Sequence, residues 1–340
     1  MAYRIPYLAV TGPDGVDQLK IWGSRLVGVR IVTRFVDASD ECTFTFTNEP
    51  PYAPAPAENT PFSVKVGWSA EGATLGGTYY MQRIHLWGEP KTAGDMVSYI
   101  CRSGQMAGLD QADSRHFNEQ NGNKTLGDVF KNLFADAGMG VDVAASIAGL
   151  PIPGGHLVQW NQSAIDFATD LANDVGGIVK PMGGKILVLD RNSGQSVSGQ
   201  SLAGWTILKT PGYSYDCEFE PRFQYQSVAV PYMDDASGRV KSEVSQASGG
   251  GAKQGAPHPA ADQGAAQTQA KARADEFRRF TGTGIFEMPG EPNAVAGSHP
   301  TCSGFPDPID TTAWIAAEVT HDVEPGQGWI TTVELETDPE

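Results

Sequence analysis

Few side chains in this sequence could do chemistry, and the most suggestive is His321. It lies in the stretch "AWIAAEVTHDVEPGQGWITTVELE", Ala313 to Glu336, which reads as two alternating runs around a Pro-Gly turn. An imidazole titrates near neutrality and can serve as a general base. Strand alternation puts His321 on the face of Ile315, Ala317, Val319 and Val323, opposite Trp314, Glu318 and Thr320. With no second ligand or nucleophile nearby in sequence, the expected role is a hydrogen-bonded residue near a strand end. Its replacement by alanine is then expected to leave assembly largely intact. Asp110, Asp113 and His116 stand at i, i+3 and i+6 with the donor types of a metal site, but within a polar bridge that reads as solvated loop. His85 in "MQRIHLWG" reads as a partly buried strand residue, and His258 and His299, beside prolines, as loop residues without partners. Cys42, Cys101, Cys217 and Cys302 form no CxxC pair, which signals neither a zinc knuckle nor a disulfide framework; reduced, buried thiols are expected.

Other signatures fail on spacing. No serine has the Gly-x-Ser-x-Gly surroundings of a nucleophile elbow. "EQNGNKT" and "SGGGAKQG" lack the glycine spacing, the hydroxyl residue or the following helix that a phosphate-cradling loop needs. Forty carboxylates leave a glycosidase pair open in principle, but nothing selects two of them. The expectation is therefore no catalytic, cofactor-binding or metal-ligating residue, no cofactor, and no enzyme.

Charged residues make up 19% of the 340-residue chain while Gly (40) and Pro (23) are plentiful, which favours a turn-rich, mostly β protein of two or three domains. The formal charge of −16 repels polyanions and argues against an electrostatic grip on DNA or on an anionic membrane. "MAYRIPYLAV" lacks the basic region and apolar core of a signal peptide, and no stretch approaches the ~20 apolar residues of a membrane span. A soluble chain with no cleaved export signal and no membrane anchor is expected.

Residues 1–110 read as strands: "LVGVRIVTRFVD", "CTFTFT", "FSVKVGW", "TYYMQRIHLWG" and "DMVSYICRS" alternate or are β-branched, and breaker clusters separate them. Residues 111–190 read as a small α+β domain. In it Leu126, Val129, Phe130, Leu133 and Phe134 make one apolar helix face capped by Thr125, a second helix starts at Ser163, and a hairpin turns at Gly183 and Gly184. Strand character returns in 191–235 and 282–340. Residues 236–281 between them, Gly-, Ala- and Gln-rich, read as a flexible loop running into a helix. The fold class expected is α+β, mostly β.

Three stretches in this order resemble the phage late control D proteins, the central baseplate hub of contractile phage tails. The hairpin "WIAAEVTHDVEPGQGWITTVELE" is similar to that family's C-terminal signature. "ADEFRRFTGTGIFEMPGEPNAVAGSHPTCSGF" resembles its helix, "TG" and glycine-marked run, and "LVQWNQSAIDFATDLANDVGGIVKPMGGKILVLDR" resembles its helix and hairpin ending near Asp-Arg. "NAVAGSH", "TTA" and the shifted Asn161-Gln162-Ser163 depart from the usual pattern.

The resemblance implies two tail-tube-like β-barrels joined by a small α+β domain: the first in 1–110, the second in 191–235 and 282–340. It also implies a structural hub, a homotrimeric ring adapting the sixfold tail tube to the threefold central spike. Its partners would be the tail tube protein and a separate spike chain, with the tape measure protein and other baseplate proteins as further candidates. Genomic DNA would pass the channel without specific binding, along an acidic wall. The place implied is the virion tail, after assembly from a late protein in the bacterial host cytoplasm. The alternatives are a phage tail-associated cell-wall hydrolase and a receptor- or carbohydrate-binding module, for which seven Trp and ten Tyr offer stacking surface.

Overall fold

In the computed structural model the described residues are all except 1–3, 36–38, 53, 90–93, 105–108, 221–224, 248–250, 280, 327 and 339–340. Side chains that alternate in sequence become strands with one buried and one open face, and the fold is mostly β, 48% strand against 19% helix. Strands β1 (Pro6–Thr11), β2 (Leu26–Arg34), β3 (Glu41–Thr47), β4 (Pro61–Trp68), β5 (Gly72–Glu89) and β6 (Gly94–Arg102) come first. A middle region follows with β7 (Ala112–Asn118), β8 (Gly140–Val143), β9 (His156–Ser163), β10 (Gly177–Met182) and β11 (Lys185–Asp190). The remainder holds β12 (Thr206–Leu208), β13 (Tyr215–Phe219), β14 (Ser227–Asp234), β15 (Arg239–Gln246), β16 (Lys253–Gly255), β17 (Gly282–Pro289), β18 (Thr301–Ser303), β19 (Trp314–Glu324) and β20 (Gly328–Thr337). The helices are α1 (Gln18–Trp22), α2 (Leu126–Ala135), α3 (Ala145–Ala148), α4 (Ala164–Asp174) and α5 (Gln263–Arg279).

Ten strands form one sheet in the order β1-β4-β5-β6-β3-β2-β19-β20-β17-β13. Where the resemblance implies two barrels, no closed barrel forms among the described strands. Instead two halves, β1 to β6 and β13 with β17, β19 and β20, join through the antiparallel β2–β19 pair. Each half has its own core. The first gathers Phe44, Phe46, Phe62, Val64, Tyr99 and others, closed by Trp22 of α1, whose ring lies 5.0 Å from Phe44 and 5.0 Å from Phe46. The second gathers Trp205, Phe286, Phe305, Trp314, Val319, Val333 and Leu335.

In the middle region α2 and α4 pack on the sheet β10-β11-β8. A capping box starts α2: Thr125 Oγ1 accepts from the Asp128 N–H at 3.3 Å, and Asp128 Oδ2 accepts from the Thr125 N–H at 3.0 Å. Ser163 caps α4 with its side chain, Oγ accepting from the Asp166 N–H at 3.1 Å. Gly183 and Gly184, with φ of 60° and 77°, make the β10–β11 turn. Lys180 of β10 reaches across to Asp40 at 2.7 Å, both largely buried, and ties this region to the first half of the sheet.

The polar bridge expected as solvated loop contains β7, which pairs with β9. Its sequence "ADSRHFN" buries one large apolar side chain, Phe117, too few for an alternating signal. Residues 236–281 are also more ordered than a flexible loop and helix, although the glycines at 248–250 lie outside the described residues. β15 and β16 flank β14, and α5 covers that small sheet. The helix contributes Ala266, Ala270 and Ala274, spaced by four, and the bulk comes from Val228, Val230 and Tyr232 of β14. An alanine stripe lets helix and sheet approach closely while adding little hydrophobicity to the sequence, which explains the loop-like composition.

Candidate functional site

The hairpin β19–β20 holds His321 at 0% exposure, on the core side of the sheet. Its Nε2 lies 3.0 Å from the Ala294 carbonyl, and its Nδ1 lies 3.0 Å from Thr331 Oγ1 and 3.3 Å from the Trp329 indole nitrogen. An indole N–H only donates, so Nδ1 accepts and Nε2–H donates to Ala294. Thr331 Oγ1 also accepts from the Glu291 N–H at 3.0 Å, fastening the loop after β17 over the sheet. Burial drives the imidazole pKa down to about 4 from 6.5, which keeps it neutral. His321 pairs across β2 with Ile31 of the first core and lies between Val319 of the second core and Val323 of the first. It is a fully partnered pin at the boundary of the two cores.

The faces of β19 differ from strict alternation. A bulge between Ala316 and Glu318 changes the parity, so Trp314 and Ala316 share the second core with Val319, while Ile315, although buried, is not part of it.

The other chemistry-bearing residues are dispersed. Asp113 pairs with Arg115 at 2.7 Å, and the His116 ring lies 5.3 Å from that of His156. Among the described residues no group of three His, Cys, Asp or Glu could hold a metal. His85 and His258 are exposed, whereas His299, expected without a partner, has its Nδ1 2.7 Å from Asp338. The four cysteines are free thiols. Cys42 and Cys101 lie directly opposite each other on β3 and β6, and burial raises both pKa values, Cys101 to about 12. A polar cavity of about 590 Å³ opens between α5, the end of β11 and β20. Arg191 Nε, Arg279 Nε and Gln254 Oε1, all on its wall, have no hydrogen-bond partner among the described residues.

The open strand edges and the groove beside them are further features of the surface. The sheet ends at β1 and β13, whose outer edges have no strand partner among the described residues. A third edge lies on β5, which outruns its neighbour. It pairs with β4 only up to Tyr80 and continues beside β6 to Glu89, so from Arg83 onward its outer side has no strand partner among the described residues. There Ile84 (42% exposed) and Leu86 (66%) line an apolar groove of about 780 Å³ with Ile21, Trp22, Tyr52 and Tyr99.

The open face of the sheet is polarised. β13, β17, β19 and β20 contain no Lys or Arg but carry Asp216, Glu218, Glu287, Glu318, Asp322, Glu324, Glu334 and Glu336. On that face β1 to β6 carry Arg30, Arg34, Lys65, Arg83 and Arg102 against Glu41. Where the halves meet, Arg30 holds Asp322 through two bonds of 2.7 and 3.1 Å, and Arg34 holds Glu318 at 2.7 Å. No helix among the described residues is long and apolar enough to cross a membrane.

A mostly β scaffold with partnered polar residues and open strand edges defines a structural class, and comparison with known proteins gives it a relationship. The 43 kDa tail protein of prophage MuSo2 from Shewanella oneidensis matches over 97% of this chain and 98% of its own, with a TM-score of 0.67 at 11% identity. The tail protein from Neisseria meningitidis MC58 matches over 98% and 97%, with a TM-score of 0.66 at 16% identity. The fold is thus that of phage tail proteins.

A probable baseplate hub protein of Escherichia phage 186 is 22% identical over 321 residues, 83% of this chain and 80% of that protein. The probable baseplate hub protein of Escherichia phage P2 is 27% identical over 178 residues, 52% of this chain. That match spans less than half, 44%, of the P2 protein. No family model matches the chain. The relatives bear out the resemblance to phage baseplate hub proteins.

Proposed function

We propose that this chain is a non-enzymatic structural hub of a phage tail baseplate, a homotrimeric ring that adapts a sixfold tail tube to a threefold spike. The observation that carries the reading is the two-half sheet. Each half supplies four consecutive antiparallel strands, β5-β6-β3-β2 and β19-β20-β17-β13, over its own core. Three copies would present six comparable quartets, matching a sixfold neighbour on one side while the ring as a whole stays threefold. Tail tube and spike proteins are the proposed partners, within the tail of the virion. The relatives' hub names and the shared tail-protein fold support this reading. The open face bears on the idea of an acidic channel wall: it is acidic in the second half and basic in the first, so a channel lined by it would alternate in sign around the ring.

Two measurements test the proposal. Light scattering of the purified chain should give a mass near three times 36.2 kDa, about 109 kDa. Co-expression with neighbouring tail genes, followed by electron microscopy, should show it between tube and spike. A stable monomer that clears peptidoglycan would overturn the assignment in favour of a hydrolase.

A further inference from the structure

We propose that His116 of β7 and His156 of β9 form a binding site for a divalent transition-metal cation of the zinc class, with one nitrogen of each ring holding the ion and water completing its coordination. Such a site lies within one chain and stands or falls independently of the homotrimeric reading above.

The chain has six histidines, and four of them do not meet another. His321 is held in the core by three partners, His299 lies against Asp338, and His85 and His258 are exposed on separate segments. The remaining two, at 116 and 156, come together with ring centres 5.3 Å apart and planes inclined at 43°. Strand register explains how. His116 pairs with Val158 and Asn118 with His156, so the histidines are diagonal neighbours on one face of the β7–β9 ribbon. Backbones at diagonal positions are about 7–8 Å apart, within reach of ring side chains. The opposite face carries Phe117, buried in the core of the middle region, which turns both imidazoles to solvent. Neither ring has a hydrogen bond or ion pair among the described residues, so their nitrogens are available to a ligand.

The spacing suits one ion. Zinc binds an imidazole nitrogen at about 2.0–2.1 Å, and two imidazoles arranged roughly tetrahedrally around it place their ring centres about 5 Å apart. The separation is therefore already present, and rotation about exposed side-chain bonds is all that ligation requires. Donor type selects the ion: imidazole suits zinc, nickel and copper, whereas calcium and magnesium need oxygen ligands. The neighbours on this face, Asn118, Val158 and Trp160, include no carboxylate. Asp113, which sequence spacing placed with His116, is instead held by Arg115 at 2.7 Å. Two protein ligands leave positions open to water, so binding is reversible and weaker than at a closed structural site. β7 and β9 form a sheet of only two strands, a marginal unit on its own. An ion held by both strands clips them together and stabilises the folded ribbon by mass action.

Calorimetric titration of the full, untagged chain with zinc chloride, and separately with nickel chloride, tests the site. A single ion should bind per chain, and zinc should raise the melting temperature. His116→Ala and His156→Ala should each weaken binding by at least the roughly 10–100-fold that losing an outer partner of a metal ligand costs, and should remove the thermal shift. Both side chains are exposed, so the melting curve without metal should stay as in the wild type. His85→Ala with His258→Ala should leave binding unchanged. Val158→His, which places a third imidazole directly opposite His116, should tighten it, and that gain decides the matter even where an alanine variant folds poorly. A wild-type chain with no saturable uptake of either ion, or uptake indifferent to His116 and His156, overturns the site. The hub reading is untouched by either result, because its own test is the mass of the assembly.

Discussion

In the first half of the sheet, β1 to β6 follow one another over residues 6–102 and bury Phe44, Phe62 and Tyr99. The second half draws β13, β17, β19 and β20 from residues 215–337, with the β14–α5 unit spliced between β13 and β17, and buries Phe286, Trp314 and Leu335. Despite that difference in connectivity, the halves make matching antiparallel quartets with opposite open-face charge. Core packing sets the architecture, and the open face is left to distinguish one half from the other.

The strongest way to break this equivalence is to hollow out each core in turn. Phe44→Ala and Phe286→Ala, both fully buried, should each cost about 3–5 kcal/mol. Both should shift a single urea transition, because the continuous sheet couples the halves. A separate early transition in one variant would show that the halves melt independently.

Extremes of pH should distinguish the regions next. His321 has its pKa lowered to about 4, so as pH falls the unfolded chain takes up the proton first. Stability is full above about pH 6.5 and is lost between there and pH 4, by about 3 kcal/mol in all. His321→Gln should flatten that part of the acid profile. Because the imidazole is buried with three partners, His321→Ala should destabilise the chain, a larger consequence than its reading as a strand-end residue implies. The first core instead buries Cys42 and Tyr79, whose pKa values burial raises well above 9.0 and 10.0. Their unfolded forms ionise first, so that core should weaken as pH rises past about 9. Chemical denaturation at pH 5 and pH 10 would check both signs.

Smaller effects sharpen the picture. Ala270→Leu should overpack the α5 contact by about 1–3 kcal/mol while leaving both sheet cores intact, as near-ultraviolet dichroism of the tryptophans in those cores would show. A double-mutant cycle on Arg30 and Asp322, both substantially exposed, should give under about 1 kcal/mol, falling with added salt.

Local pattern made much of this legible. The apolar faces of α2 and α4, their caps at Thr125 and Ser163 and the Gly183-Gly184 turn follow from short-range spacing. Three things do not. β7 is too polar to alternate, and the alanine stripe of α5 takes its partners from a strand some forty residues earlier. The bulge at Ala316 and Glu318 shifts the parity of β19 without any glycine or proline to mark it. For the candidate site, the sequence singled out His321 but not its partners. Ala294 reaches it through tertiary packing and Trp329 across the hairpin register, and the unpaired edge of β5 exists only because β4 ends early.

The β2–β19 pairing has a consequence for biosynthesis. Ile31 faces His321 across 290 residues of chain, from 31 to 321. At roughly 5–20 residues per second, β2 emerges from the ribosome on the order of 15–60 s before the strand that covers it. Until then one flank of the nascent first half is bare, with Arg30 and Arg34 along it, and two such arginines hinder edge-to-edge pairing with another unfinished copy. Translation of the C-terminal hairpin therefore acts as a clock, and a chain truncated before Trp314 would leave its partly built sheet open.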